Sequence, residues 1–338
     1  MKGKVNIGVI GTGRIGRLHA ENLKYRISEA NLVAVSDVIV EAAEKVASDL
    51  GVQRVYADPR YILDDGEIEA VLICSSTDTH AALIEQAADA GKQIFCEKPI
   101  ALDLAAIDRA LAAVDRAGVK LQIGFNRRFD PNFRRIQEAV AAGRIGTPHL
   151  LRITSRDPQP PPLAYIKVSG GIFLDMTIHD FDMARFLMGS EVEEIYTAGG
   201  VMIDPEIGKA GDLDTAIVTL HFANGALGTI DNSRQAVYGY DQRVEVFGSA
   251  GMVACTNNLP DTVVISDKQG VHGSLPLFFF VERYTESYIA EMKAFIGCIV
   301  HDTPPPVTGQ DGRIPVVMGY AAKRSYAEGR PVRLTEVE

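Results

Sequence analysis

Short apolar runs alternate with amphipathic stretches along the first 125 residues of the chain. The runs are rich in Val and Ile, as is typical of strands that are buried on both faces of a sheet. The stretches between them have the apolar spacing of helices, and several end in glycine, which often closes a helix. The predicted strands are VNIGVIG (5–11), LVAVSD (32–37), AVLICSS (70–76), QIFCEKP (93–99) and KLQIGF (120–125). This alternation predicts an α/β fold, a doubly wound parallel sheet with helices on both faces.

The pattern changes after residue 125. Several stretches alternate apolar and polar residues, which predicts strands with one exposed side. Asn224-Gly225 lies between two such runs and predicts a tight hairpin. The apolar stretch GGIFLDMTIHDFDMARFLMG (170–189) predicts one helix that ends at Gly189. We therefore expect an α/β domain over residues 1–124, and over residues 125–338 an α+β C-terminal domain with an open, mostly antiparallel sheet.

Charge and cysteine content narrow the classes of function. The 338 residues carry a net charge of −10 and include no basic run, which argues against a nucleic-acid partner. The four cysteines form no CxxC pair, which favours free thiols in a reducing compartment, so we expect a cytoplasmic protein. The first residues read as a strand rather than a signal peptide. No apolar run is long enough to span a membrane, and we expect no membrane partner.

The stretch GTGRIG lies between the first predicted strand and the first predicted helix and matches the pattern GxGxxG. In this context, with an acidic residue after the next strand, the pattern predicts a dinucleotide site of the Rossmann type. The glycines permit a tight turn, the approach of a pyrophosphate to the backbone, and close packing of helix on strand, while the helix N-terminus supplies N–H donors. A glycine turn without a ligand is the alternative. The predicted contacts are Gly11, Thr12, Gly13, Arg14, Ile15 and Gly16.

Asp37 ends the second predicted strand and bears on the choice of dinucleotide. Its carboxylate suits hydrogen bonds from the adenosine ribose and would repel a 2′-phosphate. The residues after it, Val38 and Ile39, provide no arginine for such a phosphate. We therefore expect NAD rather than NADP as the cofactor, with Asp37 and Val38 in contact with it.

Two further loops follow predicted strands of the same sheet. Ligands of open parallel sheets bind beyond the carboxyl ends of the strands, so both loops are expected to line the cofactor cleft. The expected contacts there are Ser75, Ser76, Thr77, His80, Glu97 and Lys98. The alternatives are a helix cap formed by Thr77 or Thr79, a structural role for His80, and a solvated surface position for Lys98.

The stretch GGIFLDMTIHDFD places Asp175 and His179 four residues apart, one helical turn, among apolar neighbours. The pair could be a catalytic couple, part of a metal site, or a capping carboxylate beside a core histidine. A metal site needs further ligands, and Asp180 and Asp182 do not both share the face of Asp175, so we expect no metal. Asp180 and Asp182 are expected to be structural, in ion pairs such as one with Arg185.

These motifs together resemble the Gfo/Idh/MocA (glucose-fructose oxidoreductase/inositol dehydrogenase) family, over the whole chain. GTGRIG, CEKP and GGIFLDMTIHDFD carry the resemblance, and SRDPQPPPLAYIKVSGG and FVERYTESYIAEMKAF resemble its inositol 2-dehydrogenases. The resemblance implies that Lys98, Asp175 and His179 form the catalytic triad. His179 would accept the hydroxyl proton, since its ordinary pKa lies near neutral pH. Asp175 would orient the ring, and Lys98 would hydrogen-bond the reacting oxygen.

The implied reaction is NAD-dependent oxidation of a cyclic polyol, with myo-inositol giving 2-keto-myo-inositol (scyllo-inosose). The expected substrate contacts also include Arg127, Asp157 and Tyr284, whose structural alternatives are a domain-interface salt bridge, a turn before Pro158 and a helix anchor. Other hypotheses are a dehydrogenase for another inositol isomer or an aldose, a non-catalytic dinucleotide-binding regulator, and an NAD-dependent glycosidase. An uncovered sheet face predicts association between copies, and the resemblance implies a homotetramer. The loop of residues 156–171 is either a lid or a subunit contact.

Overall fold

A computed structural model describes residues 3–337, which divide into two compact units. The first unit comprises the chain up to Asn126 together with Glu286–Ile314. The second comprises Arg127–Thr285 and the chain from Pro315 onward. Residues 286–314 were predicted to lie in the C-terminal domain, whereas in the structure they group with the first unit.

Strands and helices alternate through the first unit, in the order that the hydrophobic pattern predicted. The elements are β1 (Val5–Ile10), α1 (Arg14–Arg26), β2 (Ala30–Ser36), α2 (Val40–Leu50), β3 (Arg54–Tyr56), α3 (Arg60–Leu63), β4 (Ala70–Ile73), α4 (Thr77–Asp89), β5 (Gln93–Glu97), α5 (Leu104–Ala117) and β6 (Leu121–Gly124). All neighbouring strands pair in parallel, in the order β3-β2-β1-β4-β5-β6. The prediction of a doubly wound parallel sheet is confirmed. The pattern missed β3 and the four-residue helix α3. The three residues of β3 are half-buried and show no apolar run.

The remaining chain is richer in antiparallel pairs. Its elements are α6 (Pro131–Ala141), β7 (Pro148–Arg156), α7 (Leu163–Ile166), α8 (Ile172–Asp175), α9 (Thr177–Met188), β8 (Val192–Gly200), α10 (Pro205–Lys209), β9 (Thr215–Phe222), β10 (Leu227–Ser233), β11 (Asp241–Gly248), β12 (Gly251–Cys255), β13 (Val264–Asp267), β14 (Gly270–Gly273), α11 (Phe280–Arg283), α12 (Thr285–His301), α13 (Gly309–Glu328) and β15 (Val332–Arg333).

Seven strands of the second unit form one sheet, in the order β12-β11-β7-β10-β9-β8-β15. Strands β7 and β10 pair in parallel and the other neighbours pair antiparallel, which confirms a mostly antiparallel sheet. Asn224 and Gly225 lie between the antiparallel strands β9 and β10, and Gly225 has a φ of 86°. The predicted hairpin is therefore confirmed.

Helix α12 completes the core of the first unit. Its Met292, Phe295 and Ile296 are buried in one cluster with apolar side chains of β1, α1, β2 and α2. Residues up to 126 supply only part of this core, and α12, which follows much later in the chain, supplies the rest. Local periodicity predicted the helix but carries no information on which core it joins.

One face of the second unit's sheet packs against helices α6 and α9. Alternate residues of β9 and β10 are buried on that side, including Val218, Leu220 and Ile230. The opposite face presents Leu150, Ile217, Leu227 and Phe247, each more than 40% exposed. In register, Leu150 lies opposite both Leu227 and Phe247, so three of these side chains form one row across neighbouring strands. The open face expected from the sequence is present.

The stretch 170–189 forms two helices rather than the single helix that was predicted. Helices α8 and α9 meet at Met176, and the second ends before Gly189 as expected. The hydroxyl of Thr177 lies 3.2 Å from the Ile172 carbonyl and 2.6 Å from Oδ1 of Asn232. Both contacts lie at the break, where a threonine hydroxyl can compete with the helical hydrogen-bond pattern. In residues 3–337 no helix is long and apolar enough to cross a membrane.

Candidate active site

The glycine loop follows β1 and leads into α1. Gly11 has a φ of 90°, and a Cβ at this position would lie 2.5 Å from the Ser75 nitrogen. A Cβ on Gly16 would lie 1.9 Å from the Gly11 carbonyl oxygen, so the close packing inferred from the sequence is present. Gly13 is exposed at the start of α1, and a Cβ there would meet no atom within 4 Å. The loop therefore combines a tight turn with an open backbone position at a helix N-terminus, which is the arrangement a pyrophosphate requires.

Asp37 connects the end of β2 to the glycine loop. Its Oδ2 accepts hydrogen bonds from the backbone N–H of Thr12 at 2.7 Å and from the Thr12 hydroxyl at 3.0 Å. Its Oδ1 accepts from the Ile39 N–H at 2.9 Å. Val38 beside it is 86% exposed. The carboxylate is therefore fixed, half-buried and adjacent to an open surface, as a ribose-binding acidic residue must be.

The loop after β4 is braced by two side chains. Thr79 and Ser75 share a hydrogen bond of 2.6 Å between their hydroxyls. The buried imidazole of His80 lies 2.8 Å from the Pro99 carbonyl and 3.0 Å from the Ser75 carbonyl, one at each ring nitrogen. These contacts tie the loop to the residues that follow β5 and give His80 a bracing role. Its predicted contact with the cofactor stays a prediction.

The predicted cap of α4 is wrong in its position. The N-cap residue is Ser76, whose side chain makes no capping hydrogen bond, and Thr77 is the first helical residue. The Thr79 hydroxyl instead donates to the Ser76 carbonyl at 2.7 Å.

Glu97 and Lys98 lie at the carboxyl end of β5, as the strand prediction required. Glu97 Oε1 is 2.7 Å from Nε2 of the fully buried His19 in α1. Lys98 is half-buried and precedes Pro99 through a cis peptide bond. The end of β5 therefore places the anchored carboxylate of Glu97 next to the ammonium group of Lys98 along the chain.

In the second unit, Asp175 and His179 stand out by accessibility. All residues from Ile172 to Ala184 except Asp175 and His179 are buried, and these two are half-buried. Asp175 ends α8 and His179 lies in the first turn of α9, so the break at Met176 separates the pair along the chain. This otherwise buried segment therefore presents one carboxylate and one imidazole to a surface, which are the groups of a base and its orienting partner.

Asp175 is held by two residues that the sequence did not single out. Its Oδ1 accepts from the Tyr165 hydroxyl at 2.8 Å, and its Oδ2 from the Arg234 guanidinium at 3.2 Å. Burial, together with the charge of Asp175, raises the pKa of Tyr165 and keeps its hydroxyl protonated as a donor. Arg234 is buried and also lies 3.4 Å from Asp212. The only sequence signal for Arg234 was an arginine directly after an alternating strand.

Arg127 belongs to a buried network in the same unit. Its guanidinium donates to Asp180 at 2.6 Å and to the Tyr240 hydroxyl at 3.2 Å. Its Cζ also lies 5.7 Å from the centre of the Tyr284 ring, whose hydroxyl donates to Gln242. These partners belong to the second unit, as Arg127 does, so its salt bridge is not the domain-interface contact of the structural alternative.

The two aspartates of α9 have arginine partners from the segment before α6. Asp180 pairs with Arg127, and Asp182 accepts a two-pronged hydrogen bond from Arg128. Both carboxylates are buried. The expectation that Asp180 and Asp182 are structural agrees with these contacts.

Asp157 follows β7 and is half-buried. Burial raises its pKa to about 6, with the charge of Asp175 acting in the same direction and the guanidinium groups of Arg234 and Arg127 opposing it. Asp157, Asp175 and Arg127, three of the predicted site residues, thus lie within electrostatic reach of one another. Carboxylates and guanidinium groups in this arrangement suit a ligand with several hydroxyl groups.

Comparison with known sequences gives two family matches. Residues 5–125 match the profile described as "Oxidoreductase family, NAD-binding Rossmann fold" (GFO_IDH_MocA). Residues 133–254 match the profile described as "GFO/IDH/MocA C-terminal domain". The first match ends one residue beyond the predicted domain boundary at residue 124, and the second lies within the predicted C-terminal domain.

Individual relatives agree with these matches over nearly the whole chain. The myo-inositol 2-dehydrogenase of Thermotoga maritima is 56% identical and aligns with 98% of this chain and 99% of its own length. A crystal structure of a probable dehydrogenase from Thermotoga maritima has a TM-score of 0.97 at 56% identity, over 99% of this chain and 100% of that one. The crystal structure of scyllo-inositol dehydrogenase from Lactobacillus casei, with bound cofactor NAD(H) and scyllo-inositol, has a TM-score of 0.92 at 30% identity. That similarity covers 98% of this chain and 99% of the other.

Proposed function

We propose, since this chain belongs to the GFO/IDH/MocA oxidoreductase family with its NAD-binding Rossmann fold, that it oxidises a cyclic polyol by hydride transfer to NAD. The substrate we favour is myo-inositol, oxidised at C2 to 2-keto-myo-inositol (scyllo-inosose), as the name of the Thermotoga maritima relative suggests. The observation that carries this proposal is the pair Asp175 and His179, left accessible in a buried segment.

Oxidation of a secondary alcohol needs an acceptor for the hydride and a base for the hydroxyl proton. NAD, when bound, supplies the hydride acceptor. We assign the base to His179, because an imidazole exchanges protons near neutral pH. Asp175, fixed by Tyr165 and Arg234, would orient the imidazole and stabilise its cationic form. Lys98 would donate a hydrogen bond to the reacting oxygen as negative charge develops there.

The open backbone at Gly13 and the fixed carboxylate of Asp37 support NAD binding by the first unit. In this proposal the glycine loop holds the pyrophosphate at the N-terminus of α1, and Asp37 with Val38 faces the adenosine ribose. The remaining contacts come from the loops after β4 and β5. The full proposed set is Gly11, Thr12, Gly13, Arg14, Ile15, Gly16, Asp37, Val38, Ser75, Ser76, Thr77, His80, Glu97 and Lys98.

On the substrate side we assign hydroxyl contacts to Asp157 and Arg127, which lie near Asp175. Asp157 offers a carboxylate to ring hydroxyls, and Arg127 supplies donors that Asp180 orients. Tyr284 is buried against Arg127, and we assign it to the wall of the substrate site.

The test is NADH formation, followed by its absorbance, with a panel of polyols and sugars at alkaline pH. We expect reduction of NAD with myo-inositol and much weaker reduction of NADP. The panel contains myo-, scyllo- and D-chiro-inositol, glucose and xylose. Absence of NADH with every compound would defeat the dehydrogenase proposal and leave a regulator or a glycosidase, which produce no net NADH.

A second candidate is a dehydrogenase specific for another inositol isomer or an aldose. The structural relative that binds scyllo-inositol with NAD(H), at 30% identity, favours this candidate specifically. The same panel separates the two, because the preferred isomer is the one with the highest kcat/KM.

We also propose a cytoplasmic homotetramer. The four cysteines Cys74, Cys96, Cys255 and Cys298 are free, as is usual in a reducing compartment. The row of exposed apolar side chains on the open sheet supports association between copies. In the loop of residues 156–171, Leu163, Tyr165 and Val168 are exposed, while Tyr165 contacts Asp175. We assign this loop to covering the catalytic aspartate, with its exposed apolar residues available to a neighbouring copy.

A further inference from the structure

Three titratable side chains meet inside the first unit, next to Lys98 in the chain. They are His19 of α1, Glu97 at the end of β5 and Glu291 of α12. Each provides a ligand-type atom within 4.8 Å of the other two. His19 and Glu291 are completely buried, and the side chain of Glu97 is 14% exposed. No role for His19 or Glu291 follows from the reaction described above.

The group is held rigidly from several sides. His19 Nε2 lies 2.7 Å from Glu97 Oε1, and the His19 ring packs edge-on against Phe95 and Tyr288. Glu97 Oε2 is so close to Gly124 that a Cβ on that glycine would lie 2.9 Å away. The backbone carbonyl of Glu291 accepts from the buried Gln122 amide at 3.1 Å. The side chain of Glu97 and the backbone of Glu291 are therefore both anchored.

The electrostatic surroundings of Glu291 disfavour a second negative charge. Neither of its carboxyl oxygens has a hydrogen-bond partner among residues 3–337. Burial, together with the nearby charge of Glu97, raises the pKa of Glu291 well above its ordinary value. His19 faces the pair, and Tyr288 packs on its ring. The thiols of Cys74 and Cys96 also lie nearby, and burial together with the charge of Glu97 raises the pKa of both. Two carboxylates that share a dry site cannot both ionise at low cost.

We propose that Glu291 is a neutral carboxylic acid in the folded protein, and that it and His19 are positioning residues that fix Glu97 and, through it, the adjoining Lys98. In this arrangement Glu97 carries the single negative charge, His19 donates to it from Nε2, and the Glu291 proton faces it. The part of the inference that concerns Lys98 rests on the proposed function. The protonation of Glu291 does not.

The proposed positioning of Lys98 follows from its place in the chain, directly after Glu97. Glu97 is the last residue of β5, and its anchored side chain fixes the backbone from which Lys98 departs. Groups that act on a substrate must be held within a fraction of an ångström by such supports. A displacement of roughly 1 Å costs about 10²-fold in rate.

The first arm of the test measures the protonation of Glu291 without catalysis. Glu291→Gln is a neutral isostere, and its unfolding constant is compared with that of the wild type by denaturant titration at several pH values. The unfolded wild type releases the Glu291 proton above its ordinary pKa near 4.5, whereas the folded form retains it. Raising the pH therefore destabilises the wild type relative to the variant, by about tenfold per pH unit while the folded form stays protonated.

Glu286→Gln is the matched control, since Glu286 is an exposed residue of the same helix α12. Its unfolding constant should show no such pH-dependent divergence. A ratio between wild type and Glu291→Gln that is independent of pH from about 5 to about 8 would overturn the neutral acid. So would one equivalent of a divalent metal that the wild type retains and Glu291→Gln loses, because a metal needs the ionised carboxylate.

The second arm measures positioning. We expect Glu291→Ala and His19→Ala to lower kcat by up to about 10²-fold with the Kd for NAD nearly unchanged. Glu291→Gln should retain the kcat of the wild type, because its amide is neutral and has the same size as the protonated carboxyl group. Wild-type kcat in folded Glu291→Ala and His19→Ala would overturn the positioning role. If the wild type itself forms no NADH, the proposed function has failed, and the first arm still decides the charge of Glu291.

Discussion

Asp175 and His179 differ from their neighbours in accessibility rather than in chemistry, since Asp180 and Asp182 of the same segment are buried in ion pairs. The sequence was sufficient to select the first two, through their spacing and the resemblance of the motif. It could not identify Tyr165 and Arg234, which lie 10 and 59 positions from Asp175. Contacts of this kind are decided by tertiary packing, and no local pattern encodes them.

Replacing His179 by alanine tests the base assignment. Without an imidazole the hydroxyl proton has no positioned acceptor, and we expect turnover to fall by about 10²- to 10⁴-fold. The Kd for NAD, measured by fluorescence quenching or calorimetry, should remain close to the wild-type value. The glycine loop and Asp37 belong to the first unit, whereas His179 belongs to the second. His272→Ala, an exposed histidine of β14, is the matched control and should keep full turnover. Near-wild-type turnover in His179→Ala would remove the base from this position.

At the scale of elements, the loops that sequence analysis located correctly are those whose geometry is local. The glycine loop needs only β1, α1 and the glycines themselves, and the structure has each of these where the pattern put them. At the break between α8 and α9, the Thr177 hydroxyl contacts Asn232, a residue of β10 that lies 55 positions away. A helical period continues through the break, so periodicity alone predicted one helix.

Two alanine substitutions in the glycine loop should have opposite consequences. In Gly16→Ala the new Cβ would overlap the Gly11 carbonyl at 1.9 Å, so we expect a lower Tm and loss of NAD binding. In Gly13→Ala the Cβ meets no protein atom within 4 Å, and the φ of −61° suits alanine. We therefore expect a wild-type Tm but weaker NAD binding, by about tenfold or 1.4 kcal/mol, because the methyl group occupies the approach of the pyrophosphate. Thermal unfolding and NAD titration check both, and unchanged NAD affinity in Gly13→Ala would place the pyrophosphate elsewhere.

At the scale of the whole molecule, the order of elements along the chain does not match the division into compact units. The fold class followed from the alternation of patterns, because each pattern reflects a local environment. The return of α12 to the first unit did not, because apolar side chains such as Met292 and Phe295 suit any core equally well. Glu291 lies on that helix, so its cluster with His19 and Glu97 could not be predicted from the sequence for the same reason.

The open face of the seven-stranded sheet allows a prediction about how copies of the chain associate. Phe247 is 45% exposed and lies in register with Leu150 on one side and Met252 on the other, within an apolar row across the sheet. In an isolated chain Phe247→Asp would place a carboxylate in solvent at little cost. In a tetramer that buries this face it would leave an unpaired charge in the interface, which is strongly unfavourable. We therefore expect Phe247→Asp to dissociate the assembly, as measured by light scattering after size-exclusion chromatography, whereas Tyr25→Asp, at a 64% exposed position of α1, should leave the mass unchanged. An unaltered mass in folded Phe247→Asp would mean that copies associate through another surface.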